Sequence, residues 1–159
     1  MTKKILFLDI DGVLNFESMQ PIMDCFSAPN AGFHGIHMID PQKVEILNLI
    51  VSRSECEVVV CSTWRQKFNL VELNEMLTNR GFNGIVRDTT TLPFQKEGIW
   101  SKKGDEVGVW LKSNFDISAF VIIDDDDEFS LFRNFHVKTD FRVGLTNKDA
   151  EKAISILTR

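Results

Sequence analysis

Ile5-Leu6-Phe7-Leu8 is apolar at every position and too short for a helix, the pattern of a strand buried on both faces, as strands of parallel sheets are. Val58-Val59-Val60-Cys61 and Phe120-Val121-Ile122-Ile123 repeat it, and Ile85-Val86 does so more weakly. Helical patterns lie between them. Asp40-Pro41 is an N-cap followed by a first-turn proline, and Val44, Leu47, Ile50 and Val51 then recur at helical spacing. A second helix carries Leu70, Leu73, Met76 and Leu77 and stops at Gly81, where a left-handed cap fits. Ser101 is placed to cap a third, with Val107, Trp110 and Leu111 as its buried stripe. Thr146 and Asp149 have capping-box spacing and open a last helix bearing Ala150, Ala153, Ile154 and Leu157. His136 sits in a short late strand, His136-Val137-Lys138-Thr139, and reads as a structural residue.

Buried strands alternating with amphipathic helices predict an α/β fold, a doubly wound and mostly parallel sheet that binds its ligand at the carboxyl ends of the strands. The stretch 15–38, rich in Phe, Gly, Pro, Ser and Asn, breaks the alternation and reads as a flap over a functional site; Phe16, Phe26, Phe33, His34 and His37 lie in it. At 159 residues the chain is expected to be one domain, 1–159. Eighteen basic against twenty-three acidic residues give a net charge of -5, which argues against attachment to nucleic acid by a general positive field while leaving room for a local basic patch. No apolar run approaches the ~18 residues of a membrane span, and the first residues lead straight into a strand pattern instead of a signal peptide. Cys25, Cys56 and Cys61 form no CxxC or Cys/His cluster and are expected to be reduced thiols of a cytoplasmic protein, Cys61 as a small core residue.

The chemistry gathers where the apolar runs end. The first ends in Asp9-Ile10-Asp11-Gly12, the second in Ser62-Thr63-Trp64-Arg65, and the run from Phe120 in Asp124-Asp125-Asp126-Asp127. If the runs are parallel strands, all three sets meet on one sheet edge. Crowded carboxylates there resist ionising unless a cation neutralises them. With no histidine or cysteine beside them they are hard oxygen ligands, few in number, a set that favours Mg²⁺ completed by waters and phosphate. A hydroxyl and a basic side chain beside such an ion suit a phosphoryl group.

The segment "FLDIDGVL" resembles the first motif of the haloacid dehalogenase (HAD) superfamily, and "VVVCST" resembles its second. "FVIIDDDD" is similar to the fourth, and Lys102 or Lys103 can supply the third, a basic residue opening a helix. More narrowly, "STWR", "KKGDEVGVWL", "VIIDDDD" and "VGLT" resemble a group of small HAD domains, some of them associated with RNA-repair proteins. The resemblance implies a Rossmann-like fold, capless or with a short flap, and a Mg²⁺-dependent phosphatase working on a phosphomonoester through an aspartyl-phosphate. Asp9 is then the nucleophile, and Asp11 the acid and base, with its backbone carbonyl on the metal. Ser62 is the hydroxyl on the phosphoryl group, and Lys103, with Lys102 as its alternative, the charge-neutralising lysine. Asp125 is implied as the direct metal ligand with Asp124 in support, so that Asp9, Asp11, Asp124 and Asp125 make up the metal site. Thr63 and Arg65 are the candidate substrate contacts, a surface ion pair being the equal alternative for Arg65. Asp88, closing the weak third strand, is a lesser candidate, and Trp64, Trp100 and Trp110 read as core before they read as base-stacking platforms. Two other functions stay open: a nucleic-acid end-processing phosphatase of a repair system, and a non-catalytic phosphate-binding or regulatory module. The expected partner is a phosphorylated substrate, macromolecular ones and nucleic acid included, and no membrane.

Overall fold

The computed structural model describes residues 2–19, 38–91 and 102–159. Five strands, β1 (Lys3–Leu8), β2 (Glu57–Val60), β3 (Val86–Thr89), β4 (Ile117–Asp124) and β5 (His136–Lys138), form one sheet in the order β3-β2-β1-β4-β5. Every neighbouring pair is parallel, so the sheet is wholly parallel where the sequence predicted mostly parallel. Among the described residues four α-helices accompany it: α1 (Pro41–Ser54), α2 (Leu70–Asn79), α3 (Lys103–Lys112) and α4 (Asn147–Leu157).

The unbroken apolar runs are explained by cover on both sides. Leu6, Leu8, Val58, Val60, Val121 and Ile123 face a core shared with α1, α2 and α4. Their alternates Ile5, Phe7, Val59 and Ile122 face a smaller one built on Val107 and Trp110 of α3 and on Phe129. Phe7 meets the Trp110 indole edge-on at 5.3 Å. Full burial of side chains of this kind contributes about 1.5–3 kcal/mol each, which makes the central strands the firmest part of the molecule.

Local signals act as the sequence predicts at three helix ends. The Asp40 side chain accepts from the Gln42 N–H with Pro41 in the first turn. Gly81 follows α2 at φ +93°, its N–H on Thr78 O and that of Phe82 on Leu77 O, a Schellman closure. Thr146 and Asp149 form a reciprocal capping box on α4. The start of α3 differs. Its N-cap is Lys102, not Ser101, and no side chain of the cap bonds the helix. The Lys103 N–H instead meets the Glu128 carboxylate at 3.0 Å, a partner from the loop after β4. Ser101, Trp100, Cys25 and the flap residues 20–37 lie outside the described residues. At the margins of that stretch Asn15 is fully buried and Met38 belongs to the core, so neither is part of a surface flap. Among the described residues no helix is long and apolar enough to cross a membrane.

Candidate active site

β1 and β4 lie side by side, so their ends carry Asp9 and Asp124 to one point, and the Asp9 N–H is fastened to Ile123 O at 3.0 Å. Both carboxylates are buried, Asp9 at 3% exposure and Asp124 at 0%. Lys103, first residue of α3, reaches in over the sheet edge. Its Nζ is 2.9 Å from Asp9 Oδ2, 3.0 Å from Asp124 Oδ2 and 3.2 Å from Asp126 Oδ2. Lys102, one residue earlier, is exposed. Two glycines permit this approach. Gly12 turns the chain at φ +71°, and a Cβ there would stand 2.5 Å from Asp125 Cγ. A Cβ on Gly104 would stand 2.6 Å from Glu128 O, so α3 can come this near only with glycine in its first turn.

One lysine among several acids leaves the charge unbalanced. Burial pushes the Asp9 carboxyl up, and Lys103 and the Ser62 hydroxyl pull it only partly back. Burial, and then the charge of Asp9, push Asp124 up to about 8 against the pull of Lys103. Asp125 is raised by burial, then by Asp126 and Asp9. Burial opposes the charge on Lys103, yet Asp9 and Asp124 together hold it well above an ordinary lysine, so it stays an ammonium. Asp9, Asp124 and Asp125 each offer a carboxylate oxygen, all within 4.8 Å of one another. A set of hard oxygen donors whose ionisation is opposed by burial and mutual repulsion fits a small divalent cation such as Mg²⁺.

Asp11 is turned to different partners. Its Oδ2 accepts from Trp64 Nε1–H at 3.0 Å and its Oδ1 from Asn15 Nδ2–H at 2.8 Å. The Asn15 side-chain Oδ1 accepts from the Gly12 N–H at 2.9 Å, closing a small ring around the turn. Thr139, after β5, donates its hydroxyl to Gly12 O at 2.8 Å and its N–H to Asp124 O at 3.1 Å, which ties the β1 and β4 loops together. His136 also contacts Asp124 O, Nε2 to O 3.0 Å, in the structural place expected for it. Ser62, two residues beyond β2, is fully buried; its hydroxyl accepts the Trp64 N–H at 3.4 Å and helps to pull the Asp9 carboxyl down.

The remaining candidates are distributed otherwise. Thr63 is exposed beside Ser62. Arg65 makes an ion pair, but a buried one, with Glu106 at 2.5 Å, and donates to Cys61 O and Ser62 O at 2.9 and 2.6 Å. The Asp88 carboxylate is held by Trp110 Nε1–H at 2.7 Å and by the Thr89 N–H at 2.8 Å. Burial and the neighbouring charges of Asp124 and Asp9 raise the Cys61 thiol far above its usual range, which leaves it an inert core group. Sequence reading did not single out Asn15, Glu106, Glu128 or Thr139, and it took Trp64 as core when its indole is both buried and bonded to Asp11. Only Asn15, four residues from Asp11, carries a local signal; the others meet the site from distant elements.

A wholly parallel sheet whose central strands end in aspartates, met across the edge by a helix-opening lysine, is the arrangement of the haloacid dehalogenase superfamily, and the chain is a domain of that class. Within it the chain belongs to the family described as the HAD domain in Swiss Army Knife RNA repair proteins, which matches residues 5–150. No curated protein and no solved structure matches it.

Proposed function

We propose that the chain is a Mg²⁺-dependent phosphohydrolase that cleaves a phosphomonoester through an aspartyl-phosphate on Asp9. The observation that carries this reading is the buried Asp9 carboxylate at the end of the central strand, paired with the Lys103 ammonium at 2.9 Å, with Ser62 beside it helping to hold its charge. Asp9, Asp124 and Asp125 would hold the ion, with the Asp11 carbonyl, and bound there it supplies positive charge against the phosphoryl oxygens. An Asp9 oxygen forms the bond to phosphorus as the ester P–O bond breaks, and Asp11 gives its proton to the departing oxygen. A water then yields its proton to Asp11 and its oxygen to phosphorus, releasing inorganic phosphate and restoring the Asp9 carboxylate. Ser62 and Lys103 offer a hydrogen bond and a charge to the oxygens that become more negative in between. Trp64 and Asn15, donating to both oxygens of Asp11, fix the plane of that carboxyl group.

The substrate class we assign is a phosphate at the end of an RNA strand. The family's description as part of RNA repair proteins favours it. So do the two intervals where a cap would be inserted: 15–38 is far below the ~50 residues of an independently packed unit, and much of the stretch between Ser62 and Lys103 is taken up by α2 and β3. Arg65, occupied with Glu106, lends this substrate no support. Steady-state hydrolysis of p-nitrophenyl phosphate and of 3'- and 5'-phosphorylated oligoribonucleotides tests both parts. Turnover that EDTA abolishes and Mg²⁺ restores is expected, with the higher kcat/KM on an oligonucleotide. No turnover of any of these with Mg²⁺ present would leave the non-catalytic phosphate-binding module instead.

A further inference from the structure

The reaction uses Ser62 and Lys103 but leaves the buried charge pair behind them without a task. Arg65 lies three residues after Ser62 in the 3₁₀ turn Thr63–Gln66, and three residues per turn bring it back over Ser62. Its Nη1 donates to Cys61 O and Ser62 O, so the guanidinium holds the backbone on which the Ser62 hydroxyl stands. Its Nη2 donates to Glu106 Oε2, which also accepts from Thr90 Oγ1 at 3.0 Å. Glu106 lies three residues after Lys103 on α3, one turn along the same face. One planar side chain therefore grips the strand end carrying the hydroxyl and the helix carrying the ammonium. Arg65 is 6% exposed and Glu106 2%, so neither has water as an alternative partner and the pair is confined to one geometry.

We propose that Arg65 and Glu106 are a positioning pair that sets Ser62 and Lys103 at their working separation on Asp9. The assignment rests on the phosphatase reading and deepens it, since it moves Arg65 from the substrate to the support of the groups that meet the substrate. Hydroxyl and ammonium must converge on one phosphoryl group, where a displacement of about 1 Å can cost on the order of 10²-fold in rate. Lysine in place of Arg65 keeps the charge but lacks the rigid fork that spans two carbonyls and a carboxylate.

The test is steady-state kinetics of the full chain, wild type against Arg65→Lys, Glu106→Gln and the double variant. The substrates are p-nitrophenyl phosphate and a phosphorylated oligoribonucleotide, and circular dichroism verifies the fold. A positioning pair lowers kcat on both substrates by roughly 10- to 100-fold. KM stays within about twofold of wild type, because the lost interaction is not with substrate. The double variant is then no slower than the slower single one, as coupled residues require. A rise in KM confined to the oligonucleotide in Arg65→Lys, with Glu106→Gln unchanged, overturns the proposal in favour of a substrate contact, and independent, multiplying losses overturn it as well. If a single variant does not fold, Arg65→Met with Glu106→Leu removes both charges without stranding either. That pair is expected to fold and to be as slow, and wild-type kcat in it overturns the proposal. A wild-type chain that turns over neither substrate overturns the phosphatase reading and this assignment with it, whereas an active wild type with uncoupled variants overturns this assignment alone.

Discussion

Lys102 and Lys103 are adjacent and chemically alike, and only the second reaches Asp9. The reason is where the helix begins: Lys102 is the cap and exposed, while Lys103 opens α3 and projects over the end of the sheet. The two neighbouring acids likewise have different partners, Asp9 beside Lys103 and Ser62, Asp11 held by Trp64 and Asn15. Asp9→Asn keeps the shape and removes the attacking charge, so rapid-quench labelling is expected to detect no phospho-enzyme. Asp11→Asn is expected to lose about 10²- to 10⁴-fold in kcat, the usual worth of a positioned acid and base. Trp64→Phe deletes one N–H donor to Asp11 and conserves most of the buried ring. It is expected to reduce kcat less than Asp11→Asn does; equal kcat in Trp64→Phe and wild type would mean that the indole contributes packing alone. At Gly12 a side chain meets both a left-handed backbone, worth about 1–2 kcal/mol, and the Asp125 carboxylate. Gly12→Ala should therefore lower the melting temperature and abolish activity together. Asp9 as a candidate was legible in Asp9-Ile10-Asp11-Gly12; the orientation of Asp11 was not, because Trp64 lies fifty-three residues away.

At the scale of elements, α3 brings Lys103 to Asp9 with little local support at its start. It has no capping side chain, and its first turn is held by Glu128 and, through its own Glu106, by Arg65, two partners supplied from elsewhere. By contrast α4 is closed by its own capping box, which is why its start could be read from Thr146 and Asp149 and that of α3 could not. Substitution separates the two cases. Thr146→Ala removes a cap worth about 1 kcal/mol and is expected to lower thermal stability without changing kcat. Gly104→Ala sets a methyl group 2.6 Å from Glu128 O. It is expected to lower kcat as well as the melting temperature, since α3 must retreat and carry Lys103 with it. Loss of stability with unchanged kcat in Gly104→Ala would show that the position of α3 is not critical.

For the whole molecule, a parallel sheet covered on both faces brings the ends of β1, β2 and β4 to one edge, and the concentration of negative charge there follows from the topology. An ion that binds this edge in the folded chain alone stabilises it by mass action, about 2.7 kcal/mol at a hundredfold excess over Kd. Thermal melts are expected to rise with Mg²⁺ and to return to baseline in EDTA, and Asp125→Ala should flatten the response; an unchanged response would remove Asp125 from the ligand set. The chain's order by itself determined the alternation of strands and helices, the Asp40-Pro41 and Thr146/Asp149 helix starts and the strand-end aspartates. These are written in periodicity and in contacts within a few residues. Only the tertiary structure decided that Lys103 and not Lys102 meets Asp9, that Arg65 turns inward to Glu106, and that Glu128 anchors α3. Those choices rest on contacts between residues 25 to 94 positions apart, and at Arg65 and Lys103 burial leaves a charged group only the partner that folding brings within reach.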